Sequence, residues 1–214
     1  MEKAIIQQNL HWERSYDNLF GREILQKLIN QLPAREIQVL QGVRRSGKST
    51  LFKLLINYLM ETVSPKSILY LNLDDPFFSD VYKDVRQLEK IIEIAEKIID
   101  GPIKYIFLDE IQNVHLWEKY VKSIYDSERF QKIFITGSNS SLLSSEYAQL
   151  LSGRYISDTV YPLSFKEYLV VEKLENLLDL LQNKARVVRL VDTMLEYGGY
   201  PEIIKHHDKD LKRE

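Results

Sequence analysis

Residues 41 to 50 read QGVRRSGKST, and Gly42, Gly47, Lys48 and Ser49 occupy the four fixed places of the pattern G-x-x-x-x-G-K-[ST]. The chemistry available to such a stretch is the gripping of a phosphate chain. Glycines let successive backbone N–H groups turn inward around phosphate oxygens, and a following helix adds the positive end of its dipole. The gripping loop then comprises Gly42, Val43, Arg44, Arg45, Ser46, Gly47, Lys48, Ser49 and Thr50. In that frame the Lys48 ammonium reaches the outer phosphates as a point charge, the Ser49 hydroxyl binds magnesium, and Thr50 supports the first helical turn. Arg44 and Arg45 either assist phosphate neutralisation with their fork of donors or point away and pair with acids. The bland alternative is a basic surface turn with solvated side chains. The flanks count against it: EIQVL (36 to 40) reads as a short strand, and Leu51, Leu54, Leu55, Tyr58 and Leu59 recur at helical spacing.

A second chemical signal is KYIFLDEIQ, an apolar strand that ends in two adjacent acids, Asp109 and Glu110. A phosphate loop by itself hydrolyses nothing. It needs a carboxylate for the hydrated magnesium ion and a base or positioner for the attacking water. Asp109 is expected to hold the metal with Ser49, and Glu110 to polarise the water, which favours hydrolysis over transfer to a second substrate. The third signal is KIFITGSNSS, a strand that ends in small polar groups. Ser138 is the first choice for touching the terminal phosphate, with Thr136 and Asn139 as rivals. A helix N-cap is the competing role at that place, and the two roles are compatible.

The elements that must carry these residues alternate between strand and helix. SILYLNL (67 to 73), KYIFLD (104 to 109), KIFITG (132 to 137) and YISDTVYPL (155 to 163) read as the later strands. Between them Leu88, Ile91, Ile92, Ala95, Ile98 and Ile99, then Trp117, Tyr120, Val121 and Tyr125, follow the helical period. Largely apolar strands alternating with helices imply a parallel α/β sheet covered on both faces, with ligands at the carboxyl ends of the strands. PLSFKEYL places Ser164 three residues before Glu167, the spacing of a capping box that opens a helix. A helical lid from Leu169 through Leu181 and a second helix from about Arg186 to Tyr197 follow, stopped by Gly198 and Gly199.

Composition sets the outer bounds. The chain has 214 residues, 44% hydrophobic and 28% charged, enough for one ordinary domain with a small appendage. A formal net charge of -2 supplies no global attraction for nucleic acid, while leaving room for a local basic patch. Absence of cysteine excludes disulfides and thiolate metal sites and suits a reducing compartment, so a cytoplasmic location is expected. No apolar run reaches the ~18 residues of a spanning helix, and no membrane partner is expected. His206 and His207 are too isolated for a metal site.

Five ordered blocks, GVRRSGKST, FLDEIQNVHLW, ITGSNSSLLS, LSGRYISDTVYPLSFKEYL and YGGYPEII, together resemble the archaeal-type ATPases of the AAA superfamily, in the catalytic-glutamate branch of P-loop ATPases. The resemblance runs from about Arg22 to about Ile204. It implies a sheet ordered 5-1-4-3-2, ATP as the ligand, hydrolysis to ADP, a core over residues 1 to 163 and a helical lid over 164 to 214. It further implies that Arg154, just before the fifth strand, reaches a neighbouring subunit's nucleotide in a homo-oligomer; the competing role is that of a surface or helix-terminal arginine. Gly199, Tyr200 and Pro201 resemble the Gly-x-Pro element that lies against adenine, against the alternative of a helix stop followed by a Pro-started helix. Members of the group look longer, so a further carboxy-terminal region with a DNA or protein partner is expected. Guanine is disfavoured, because Asn183 and Lys184 are followed by Ala185 and Arg186 rather than by a guanine-reading acid. Three functions compete: an ATP hydrolase that couples lid movement to a partner, a slow nucleotide switch, and an interaction protein with a degenerate site.

Overall fold

The computed structural model describes residues 1–137 and 150–202. Its centre is a five-stranded sheet: β1 (Ile37–Gln41), β2 (Ile68–Asn72), β3 (Tyr105–Asp109), β4 (Lys132–Gly137) and β5 (Tyr155–Thr159). The spatial order is β2-β3-β4-β1-β5, with every neighbouring pair parallel. Read from the β5 edge, this is the 5-1-4-3-2 order that the sequence resemblance implied. After α1 (Glu2–Gln8) and α2 (Ile24–Asn30), which precede β1, come the helical crossovers that a parallel sheet needs: α3 (Lys48–Leu59) links β1 to β2, α4 (Ser79–Lys83) and α5 (Arg86–Ile99) link β2 to β3, and α6 (Trp117–Asp126) links β3 to β4.

Side chains of successive strand residues point to opposite faces, and the two cores follow from that alternation. Ile106 and Leu108 of β3, with Leu69, Leu71, Ile133 and Ile135, pack under the apolar stripe of α5. Phe107 and Phe134, on the other face, pack under α3. There the two rings stack with centroids 4.0 Å apart, and Phe52 of α3 meets Phe107 edge-on at 5.1 Å. Beyond β5 lie α7 (Phe165–Val171), α8 (Leu177–Gln182) and α9 (Lys184–Tyr197); residues of α7 and α9 share a small third core around Leu163 and Tyr168.

Two elements differ from the sequence reading. β5 stops at Thr159 instead of reaching position 163, because its partner β1 ends at Gln41; Val160 makes the last bond, to the Gln41 carbonyl at 2.7 Å, and Pro162 has no N–H to continue. The leucine-rich stretch after Leu169 is two short helices, not one, broken where Lys173 adopts a left-handed φ of 58° and Leu174 is buried.

The edge of β2 is closed by side chains from residues 8 to 12. Asn9 bonds both ways with the backbone of Tyr70, at 2.7 and 3.0 Å, and Gln8 does the same with Asn72, at 2.8 and 3.3 Å. The Trp12 indole donates to the Ile68 carbonyl at 2.8 Å. Edge-strand donors and acceptors that would otherwise stay open are thereby paired.

Candidate functional site

The gripping loop leaves β1 at Gln41 and enters α3 at Lys48, so the strand, loop and helix occur in the order the motif requires. Gly42 is forced by packing: a Cβ there would lie 2.3 Å from the Val160 carbonyl oxygen. Gly47 is forced by conformation, with φ at +97°. Arg45 also sits in the left-handed region, at φ 65°. The first N–H groups of α3 have no partners inside the helix and face the loop with the positive end of the dipole. Lys48 is buried and bends back over the loop, donating to the Gly42 and Val43 carbonyls at 3.1 and 3.3 Å.

Across the cleft, Asp109 ends β3 and Glu110 turns out of it with a left-handed φ of 57°. Asp109 is fully buried, and that burial pushes its pKa up. Hydrogen bonds from the Ser49, Thr136 and Tyr70 hydroxyls oppose the rise, while the neighbouring Glu110 charge adds to it. The Tyr70 hydroxyl donates to Oδ2 at 2.7 Å, and the Thr136 hydroxyl donates to Oδ1. Thr136 also accepts the Glu110 amide at 2.9 Å, so one hydroxyl fixes both acids. The Glu110 carboxylate lies 3.5 Å from the Lys48 ammonium and accepts from the Gln112 amide at 2.6 Å.

Gly47, Lys48, Ser49, Thr50 and Glu110 line one cleft of about 240 Å³, together with Arg45, and Pro201 and Glu202 form its far side. The sequence-predicted residues therefore converge, with exceptions. Arg44 faces Asp74 at 3.4 Å, and Arg45 faces Glu202 at 3.3 Å; both take the acid-paired alternative, although Arg45 stays in the cleft wall. Arg154 stands at the amino-terminal edge of the sheet, where its carbonyl accepts from Ile37 and its guanidinium pairs with Asp126 at 2.9 Å. A five-residue strand separates it from its own chain's loop, about 16 Å at ~3.3 Å per residue. Ser138 and Asn139 lie outside the described residues, as do His206 and His207. Gly199 is needed for close approach, since a Cβ there would lie 2.2 Å from the Leu163 carbonyl oxygen, whose residue donates its own N–H to Gly199 at 2.7 Å. That bond delivers Pro201 to the loop, where its ring would sit 3.7 Å from a Cβ on Gly47.

Sequence reasoning missed Tyr70, Gln112, Arg22 and the segment from Asn18 to Phe20. Tyr70 was read only as part of a strand, though a hydroxyl in an otherwise apolar run is a visible signal. Gln112 and Arg22 gave none. Asn18, Leu19 and Phe20, with Leu163, Gly47 and Pro201, enclose a second, smaller cavity of about 30 Å³ beside the cleft, the liquid volume of roughly one water molecule.

Oxygen donors from Ser49 and Asp109, already hydrogen-bonded to each other, suit a hard divalent ion such as magnesium. Among the described residues no cluster of three or more His, Cys, Asp or Glu could hold a metal without help. Magnesium fits such a sparse set, because it keeps several waters and takes further ligands from phosphate. No helix among the described residues is long and apolar enough to cross a membrane.

The parallel sheet, the glycine loop at the end of its β1 strand and the paired acids on β3 define a P-loop nucleotide-binding ATPase domain. The chain belongs to the AAA domain family, whose pattern it matches over residues 34–169. An uncharacterized protein of Haemophilus influenzae is 39% identical over 191 residues, covering 88% of this chain and 45% of its own length. One from Methanocaldococcus jannaschii is 34% identical over 201 residues, covering 92% and 42%. The chain thus spans less than half the length of these relatives. Among solved structures, the S. cerevisiae Hsp104-ADP complex has a TM-score of 0.60 at 16% identity, covering 93% of this chain and 31% of that one. AMPPCP-bound DnaA from Aquifex aeolicus has a TM-score of 0.54 at 15% identity, covering 86% and 57%.

Proposed function

We propose that the protein hydrolyses ATP to ADP and phosphate. The observation that carries this reading is the Glu110 carboxylate, standing beside the buried Asp109–Ser49 pair and 3.5 Å from the Lys48 ammonium on the wall of the phosphate cleft. Backbone N–H groups of the loop and of the start of α3 hold the phosphates, and Lys48 swings from its carbonyl partners to the outer phosphate oxygens. Ser49 and Asp109 would hold magnesium, whose charge neutralises that of the phosphate chain. Glu110 orients the attacking water and accepts its proton, and Ser138 touches the terminal phosphate. The base lies against Gly199, Tyr200 and Pro201, next to the small cavity that Asn18 to Phe20 enclose. ADP and AMPPCP, the nucleotides named for the Hsp104 and DnaA structures, support an adenine nucleotide as the ligand.

Arg154 acts on the nucleotide of a neighbouring copy in a homo-oligomer, a role with which its distance from its own loop is compatible. Lid movement is coupled to a DNA or protein partner through a further carboxy-terminal region, and the protein works in the cytoplasm.

A second reading has a specific support. Lys48 and Gln112 both hold Glu110, and a carboxylate so engaged is not free to direct water. In that reading the domain is a slow switch in which ATP binding orders the lid. Steady-state hydrolysis by the native protein and by Glu110→Gln, with ATP binding measured calorimetrically in both, tests the choice. A fall of about 100-fold with binding retained is expected of the hydrolase. Near-zero turnover in both proteins with tight binding identifies the switch.

A further inference from the structure

Arg22 precedes α2, outside the phosphate loop and the Asp109–Glu110 turn, yet its side chain is 5% exposed and every arm of its guanidinium is used. Nε donates to Glu167 Oε1 at 2.9 Å, one terminal nitrogen donates to the Ser46 carbonyl at 2.9 Å, and the other donates to the Tyr161 carbonyl at 2.7 Å. These three acceptors belong to three different parts of the molecule: the lid helix α7, the phosphate loop and the connection from β5 to the lid. Glu167 is equally committed. Its Oε1 also accepts the Glu23 amide at 2.9 Å, and its Oε2 accepts the Ser164 amide at 2.9 Å, which closes the capping box at the start of α7. Burial pushes the Glu167 pKa up, but the bonds from Ser164, Arg22 and Glu23 outweigh it and hold the carboxyl below its usual range. The pair is therefore charged on both sides, and a buried pair that loses one partner is strongly destabilised.

Position explains what such a pair can do. The Ser46 carbonyl immediately precedes Gly47, and the Arg22 guanidinium would lie 2.9 Å from a Cβ on Gly47. Any turn of the Ser46–Gly47 peptide on occupation of the loop would shift an acceptor of the same rigid fork that holds α7. The small cavity beside Phe20, with room for about one water, must widen between Leu163 and Pro201 on one side and Asn18 to Phe20 on the other to admit a purine. Arg22 bridges those same two sides.

We propose that Arg22 and Glu167 are positioning residues that couple the conformation of the phosphate loop to the orientation of α7, so that occupation of the loop is transmitted to the lid. The inference rests on the nucleotide reading above. An arginine fork is required for this task, because a lysine ammonium cannot hold three acceptors in one plane.

The test is hydrogen exchange of the full chain, with and without a non-hydrolysable ATP analogue and magnesium. Four proteins are compared: native, Arg22→Lys, Glu167→Gln and Ser164→Ala. Glutamine keeps the capping geometry at position 167 while removing the charge, whereas Ser164→Ala weakens the cap and leaves the Arg22–Glu167 pair in place. In the native protein the analogue is expected to slow exchange at least tenfold both in residues 46–50 and in residues 165–171. In Arg22→Lys and Glu167→Gln the loop response persists and the α7 response falls at least fivefold. In Ser164→Ala, α7 exchanges faster in both states while its response to the analogue is kept. An α7 response of native size in Arg22→Lys and Glu167→Gln overturns the inference. So does a native protein whose loop responds and whose α7 does not; that result leaves the nucleotide reading standing. Absence of any loop response in the native protein overturns the nucleotide reading, and the inference with it.

Discussion

The sheet and the three helices after β5, the lid of the proposed function, are held by different means. Four of the five strands are almost wholly buried, and aromatic residues lock the α3 face, with Phe107 and Phe134 stacked at 4.0 Å. In the lid, α8 and α9 bury no residue completely, and Leu195 and Leu177 are 81% and 72% exposed. It is attached by Leu163, Tyr168 and the polar fork of Arg22, with the more exposed Lys166–Glu23 and Arg45–Glu202 ion pairs beside them. Apolar burial gives a rigid platform on which the phosphate loop and the paired acids keep fixed distances. Polar latches depend on a few bonds of defined direction, so they release and reform as units. On the proposed function, the difference would divide the labour: the sheet would fix the chemistry, and the weakly buried helices would be the part free to respond.

The sharpest break of that comparison is a pair of truncations. Phe134→Ala should cost about 3–5 kcal/mol in urea unfolding, whereas Leu195→Ala in the lid should stay within about 0.5 kcal/mol. Similar costs at both sites would mean that the lid shares the sheet's core after all. Proton linkage separates the regions next. His11, buried under the β2 edge, has its pKa lowered by that burial from 6.5 to about 4, partly offset by its bond to the Ile68 carbonyl. Its folded value lies below its unfolded one, so its contribution is complete above pH 6.5 and is lost as the pH falls toward 4, by about 3 kcal/mol. The lid follows a more acidic window, because Glu167, held below its usual range, gives up its latch only as the pH drops through that depressed value. Urea midpoints measured from pH 7 to 4.5 should decline in the native protein and flatten in His11→Gln. A native profile that is already flat removes His11 from the account.

Tyr70→Phe tests the platform more finely. Removing one of three hydroxyls from buried Asp109 should lower stability by about 1 kcal/mol and reduce turnover more than ATP affinity. Equal loss of both would place Tyr70 in binding instead of in holding the acid. Least of all is expected from Arg154→Ala. Its ion pair with Asp126 is partly exposed, so the monomer should lose under 1 kcal/mol. A hydrolysis rate that rises with protein concentration, and ceases to do so in Arg154→Ala, would bring that residue into the site of a second copy.

How much of this was legible in the sequence depends on the range of each interaction. The loop, the two acids and the strands that carry them are local patterns, and the structure assembles them as the residue spacing implied. Ser164 and Glu167 announced a capping box and form one. Glu167's bond to Arg22, 145 residues away, left no local trace, because nothing in an isolated arginine names its partner. Tyr70 and Gln112 became part of the site only when β2 and the turn after β3 were brought beside Asp109 and Glu110. Arg44 and Arg45 were undecidable until Asp74 and Glu202 took their places.

The strap over β2 has a consequence for assembly. Side-chain amides at positions 8 and 9 imitate the backbone of a sixth strand, so the sheet presents no open ladder there onto which another chain could zip. Shaving away the first dozen residues would expose bare hydrogen-bonding groups along that border. Self-association through it, rather than loss of chemistry, is the defect to look for in such a shortened protein.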